Sequence, residues 1–113
     1  MTPANDRPRL MIADDNPVIR SMLGMSLSGG FEVVGAAADS EEAIELARAT
    51  QPDAAVVDVE MPKGGGLRAV RGILEVAPGT AIGRERGQLR PQRATLVEQL
   101  LGTVRMQPLL QLR

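Results

Sequence analysis

The chain has 113 residues, 43% hydrophobic and 24% charged, with a formal net charge of −1, which fits one globular domain of ordinary size and argues against a disordered chain. It contains neither Cys nor His, so disulfides, thiolate metal sites and imidazole chemistry are excluded and acid–base or metal-ligand work falls to carboxylates. The near-neutral charge conceals two segments: residues 1–78 carry twelve acidic and seven basic side chains, whereas residues 79–113 carry two acidic and six basic ones, all Arg.

The opening MTPANDRPR is charged and holds two prolines. The apolar run after it is only a few residues long, so neither a signal peptide nor a membrane span is expected, and a cytoplasmic location follows by default. Arg9–Ala13 (RLMIA) reads as a buried strand that stops at the polar pair Asp14-Asp15. Asn16 and Pro17 suit the cap and first position of a helix, and Val18, Ile19, Met22, Leu23 and Leu27 follow at helical spacing until Gly29-Gly30. Phe31–Ala37 is a second strand by its β-rich composition. Phe31 is the only aromatic residue, so aliphatic side chains and Met must fill the core.

Asp39 or Ser40 caps a second helix running to about Gln51, with Glu41 and Glu42 near its positive end and Ala43, Ile44 and Ala47 on its inner face. Ala54–Val59 (AAVVDV) is a third strand, apolar enough to be covered on both faces, and its one charge is Asp58. A loop over Glu60–Gly66 leads to a third helix over Leu67–Ala77, with Leu67, Val70, Ile73 and Leu74 inward. Thr80–Gly83 reads as the stub of a fourth strand, Arg84–Arg93 as a loop, and 94–107 as an amphipathic helix carrying Leu96, Val97, Leu100, Leu101 and Val104.

Strands and helices alternating in this order predict an α/β fold with a doubly wound parallel sheet and right-handed crossovers. Ligands of such sheets bind at the carboxyl ends of the strands, where Asp14, Asp15 and Asp58 fall. Three carboxylates at neighbouring strand ends ask for a cation, and Mg²⁺, which takes oxygen ligands, suits them. A carboxylate can also attack phosphorus to give an acyl phosphate. Asp58, inside an apolar strand, is the candidate nucleophile, and Asp14 and Asp15 are the candidate metal ligands.

The segments IADDNPVIRSML, DSEEAIELA and QPDAAVVDVEMPKGGG resemble the receiver domain of bacterial two-component response regulators, in which an acidic pair after the first strand precedes a D-x-x-M-P-x-x-x-G block. The resemblance covers residues 9–78 and implies the flavodoxin-like receiver fold. It further implies that Asp14 and Asp15 share Mg²⁺ with Asp58, that the backbone carbonyl of Glu60 completes the ligands, and that Asp58 accepts a phosphoryl group from a histidine kinase or phosphotransfer protein. Asn16 is read as a helix cap, Met61 and Pro62 as shaping the loop, and Lys63 as solvated.

Receivers also carry a Ser or Thr at the end of the fourth strand and a Lys at the end of the fifth, and this chain shows neither: Ile82 leads into GRERGQLRPQR, and Lys63 is its only Lys. The expected organisation is therefore a βαβαβα core over 1–78 and a divergent tail over 79–113, with a sheet that stops after the third or fourth strand. The change in composition points to a displaced reading frame or a truncation. An open sheet edge or the C-terminal segment would favour a homodimer. Alternatives to phosphorylation are a pseudo-receiver that acts as an interaction module and a small Mg²⁺-dependent phosphohydrolase, which the Glu at position 60 disfavours. The Arg-rich tail is interrupted by Gly and Pro, so no nucleic-acid partner is expected.

Overall fold

A computed structural model of the chain describes residues 7–61 and 65–85. Four strands and three helices alternate: β1 (Arg9–Ala13), α1 (Pro17–Leu27), β2 (Glu32–Ala37), α2 (Ser40–Thr50), β3 (Ala54–Asp58), α3 (Gly65–Val76) and β4 (Ala81–Glu85). All strand pairs are parallel, in the order β2-β1-β3-β4. The predicted doubly wound α/β receiver architecture is therefore present.

Local chemistry explains the helix ends. The Asn16 side chain accepts from the backbone N–H groups of Val18 and Ile19, and Pro17 occupies the first turn, where a missing N–H costs nothing. Asp39 accepts from the Glu42 N–H at 2.8 Å while the Glu42 carboxylate accepts from the Ala38 N–H at 2.8 Å, an exchange akin to a capping box. At the other end of α2, Gln51 takes the left-handed conformation (φ 47°) that terminates the helix.

The sheet is covered on both faces. On one, Leu10, Ile12, Ala54 and Val56 pack with Leu23 and Leu27 of α1 and with Phe31. On the other, Met11, Ala13, Ala55 and Val57 meet Ala43 and Ala47 of α2 and Ala69, Val70 and Ile73 of α3. Small residues bring the layers close: a Cβ on Gly35 would stand 2.8 Å from the Leu46 Cδ1 of α2, and one on Gly72 would collide with the Ile44 side chain. α2 is thus seated over two glycine notches, one in β2 and one in α3.

Two sequence expectations need correction. Leu67 and Leu74 are not inward but 56% and 40% exposed, because α3, which starts two residues earlier, packs through the close-fitting face of Gly66, Ala69, Val70, Gly72 and Ile73. Arg84 and Glu85, assigned to a loop, extend β4, whose backbone pairs Val57 with Arg84 and Asp58 with Glu85. β4 therefore lies along the outer side of β3, and among the described residues the free edges belong to β2 and β4. Pro62, Lys63 and the 94–107 helix lie outside the described residues.

Candidate functional site

The parallel order sets Asp14, just after β1, beside Asp58, the last residue of the neighbouring β3. Asp15 follows, and one carboxylate oxygen from each of the three residues lies within 4.8 Å of the others. Asp14 and Asp58 are 1% and 5% exposed, whereas Asp15 is open to solvent. The three carboxylates singled out in the sequence thus converge.

Their hydrogen bonds leave the cluster incomplete. Asp14 Oδ1 accepts from the Asn16 N–H at 2.8 Å, and Asp58 Oδ1 accepts from the Glu60 N–H at 3.0 Å. Asp14 Oδ2 is buried with no hydrogen-bond partner among the described residues. Burial pushes the Asp14 carboxyl above its ordinary value; the Asn16 amide opposes this, the Asp15 charge adds to it and Arg20 opposes it. Burial likewise raises Asp58, against the Glu60 amide and together with the charges of Asp14 and Asp15 and a hydrogen bond with Asp15. An orphaned buried carboxylate oxygen among like charges is costly unless a cation or a proton satisfies it. The donor set consists of hard oxygens, which suit a divalent cation such as Mg²⁺.

The start of α3 lies close against the end of β3. The Gly66 N–H donates to the Val59 carbonyl at 3.3 Å, and a Cβ at Gly66 would lie 2.5 Å from the Asp58 carbonyl oxygen and from Val59 Cα. Only glycine allows α3 to begin this close to the end of β3. Met61 is buried against the α2–α3 side of the core, consistent with a packing role.

Two features escaped the sequence reading. Arg20 donates to the Asp14 backbone carbonyl at 2.9 Å; a bond from a side chain to a backbone oxygen leaves no signature beyond an Arg in the first turns of a helix. Val18, Met22 and Met25, spaced i, i+4, i+7, form an exposed apolar stripe on α1, with Val18 63% and Met25 77% exposed. The helical spacing marked Val18 and Met22 as apolar positions but not as outward ones.

The response regulator receiver domain profile matches residues 10–83. The chain is 44% identical over 62 residues to the transcriptional regulatory protein PdtaR of Mycobacterium tuberculosis, covering 54% of this chain and 30% of that protein. It is 33% identical over 72 residues to a protein-glutamate methylesterase/protein-glutamine glutaminase of Vibrio vulnificus, covering 62% and 21% respectively. The chain therefore spans less than a third of the length of these curated relatives. Among solved structures, the receiver domain of AraT, a response regulator from Geobacillus stearothermophilus, aligns with a TM-score of 0.71 at 26% identity, covering 92% of this chain and 98% of that one. The receiver domain of the response regulator NarL from M. tuberculosis aligns with a TM-score of 0.68 at 29% identity, covering 88% and 79%. With the acidic trio at the strand ends and a family match running from β1 into β4, the chain belongs to the response regulator receiver family of two-component systems.

Proposed function

We propose that the chain is a phospho-accepting receiver, with Asp58 as acceptor and Asp14, Asp15, Asp58 and the backbone carbonyl of Glu60 as the ligands of Mg²⁺. The observation that carries this reading is the buried Asp14 carboxylate, whose Oδ2 has no hydrogen-bond partner among the described residues, in a cluster where one oxygen each of Asp14, Asp15 and Asp58 lies within 4.8 Å of the others. When bound, Mg²⁺ supplies charge neutralisation for the cluster and for the incoming phosphoryl oxygens.

The remaining chemistry belongs to the chain. The Glu60 amide holds Asp58 Oδ1, which orients the carboxylate at the end of β3. The other oxygen of Asp58 forms the new O–P bond to the phosphoryl group of a phosphohistidine. The P–N bond breaks and the imidazole leaves with the electron pair, later taking up a proton. The donor is a histidine kinase or phosphotransfer protein, and the exposed Val18, Met22 and Met25 stripe of α1, which starts beside the acidic pair, gives it an apolar docking face. The role is signalling and not turnover of a substrate.

A pseudo-receiver that works without phosphorylation is the second reading. It is favoured by the absence of any Lys after Lys63, which leaves the family's phosphate-pairing ammonium without a counterpart. Incubation with Mg²⁺ and acetyl phosphate or phosphoramidate, followed by intact mass, separates the two. A phosphoryl adduct on the wild type that is missing from Asp58→Asn supports the receiver. Saturable Mg²⁺ binding without an adduct, and without amide shifts on adding beryllofluoride, supports the pseudo-receiver. Association through the free sheet edges or the C-terminal segment would appear as a dimer in light scattering.

A further inference from the structure

We propose that Arg20 is a positioning residue for the acidic pair: by holding the backbone carbonyl of Asp14, its guanidinium fixes the peptide that joins Asp14 to Asp15 and so the aim of both carboxylates. The inference rests on the reading of these carboxylates as a Mg²⁺ site. The register of β1 with both neighbouring strands ends at Ala13. Asp14 keeps one tie to the sheet, its N–H donating to the Ala37 carbonyl at 3.0 Å. Its carbonyl lies past the ladder, and the bond it accepts comes from Arg20 Nη1 at 2.9 Å, in partly buried surroundings.

Arg20 is itself anchored. It is the fourth residue of α1, and its backbone N–H donates to the Asn16 carbonyl at 2.9 Å. Asn16 in turn donates its N–H to Asp14 Oδ1 and caps α1 with its side chain. The result is a closed circuit: Asp14 is held by its N–H, one carboxylate oxygen and its carbonyl, while Oδ2 takes no hydrogen bond among the described residues. Without Arg20 the 14–15 peptide can rotate, and the exposed Asp15 would lose its fixed direction toward Asp14 and Asp58.

The sign of the effect discriminates between roles. A cation beside a metal site repels the incoming metal, so a residue acting only through charge would weaken binding, and its removal would tighten it. A positioning residue gives the opposite result, as loss of outer-sphere partners of metal ligands commonly does.

The test is Mg²⁺ titration of the full chain, followed through the amide signals of Asp15 and Glu60, for the wild type, Arg20→Met and Arg20→Lys, with far-UV circular dichroism melts of each. Arg20→Met should weaken Mg²⁺ about tenfold with an unchanged melting midpoint, and Arg20→Lys, which keeps one donor for the one carbonyl, should recover most of the loss. Equal or tighter binding by Arg20→Met overturns the proposal. So does weaker binding accompanied by a lowered midpoint and no recovery in Arg20→Lys, which marks a general structural role. A wild type that shows no saturable Mg²⁺ binding overturns the metal-site reading first and the role of Arg20 with it.

Discussion

The two ends of the sheet are built to opposite plans. At the amino end, polar groups are paired: the Arg9 N–H donates to Asp53 Oδ2 and the Asp53 N–H to the Arg9 carbonyl, both at 2.9 Å. Arg9 Nη1 reaches the Thr50 carbonyl, Gln51 Nε2 the Val76 carbonyl and Thr80 Oγ1 the Pro52 carbonyl. These bonds join β1, β3 and the starts and ends of the elements around them. At the carboxyl end, three carboxylates crowd together and one buried oxygen has no partner. One end holds the fold together; the other carries a cost that a bound cation would remove.

Substitutions at the two ends should therefore differ in readout, and those that remove a charge from the acidic cluster should differ in sign as well. Gly66→Ala should have the largest effect, a loss of about 2–3 kcal/mol from overpacking against the Asp58 and Val59 backbone, read by urea unfolding in far-UV circular dichroism. It should also weaken Mg²⁺, because the end of β3 must shift. At the amino end, Thr80→Val keeps the shape but leaves the Pro52 carbonyl without its donor and should cost about 2 kcal/mol. Mg²⁺ affinity should be unchanged in the same titration, and a change there would break the division between the two ends.

Asp14→Asn should do the reverse. It removes a buried charge from the cluster and should stabilise the metal-free protein by about 1 kcal/mol while abolishing Mg²⁺ binding in calorimetry. A loss of metal-free stability would mean that the cluster is not strained. The smallest effect concerns pH. Asp14 and Asp58 both hold their protons more tightly when folded, so their stabilising contribution is complete below the unfolded carboxylate value and is lost as pH rises through the folded values. Metal-free melting midpoints should accordingly rise as pH falls from neutral into the mildly acidic range. Asp14→Asn should flatten this trend, and Mg²⁺ should remove it.

The order of elements and the acidic trio were legible in the sequence for a physical reason. Short apolar runs ending in charge mark parallel strands, and Asn16-Pro17 and Asp39-Ser40 mark helix starts. Other features depend on information the pattern does not carry. The apolar period of α3 gave a stripe but not its rotation, because Gly66, Ala69 and Gly72, which a hydrophobicity count undervalues, do the close packing in place of Leu67 and Leu74. β4 runs through Arg84 and Glu85 because strand pairing uses backbone groups that every non-proline residue offers. Arg20 escaped notice because its acceptor is a carbonyl, which has no residue type.

The two glycine notches under α2 have an evolutionary consequence. Gly72 cannot gain a side chain while Ile44 stays its size, whereas the atoms nearest a Cβ at Gly35 are the terminal methyl groups of Leu46, which can turn aside. Drift at positions 44 and 72 must then proceed as a compensated pair, residue 44 shrinking before residue 72 grows. Lineages descending from this chain should show Ala at 72 together with Ala at 44 more often than Ala at 72 alone, since Val would keep the γ carbon that blocks a side chain at 72.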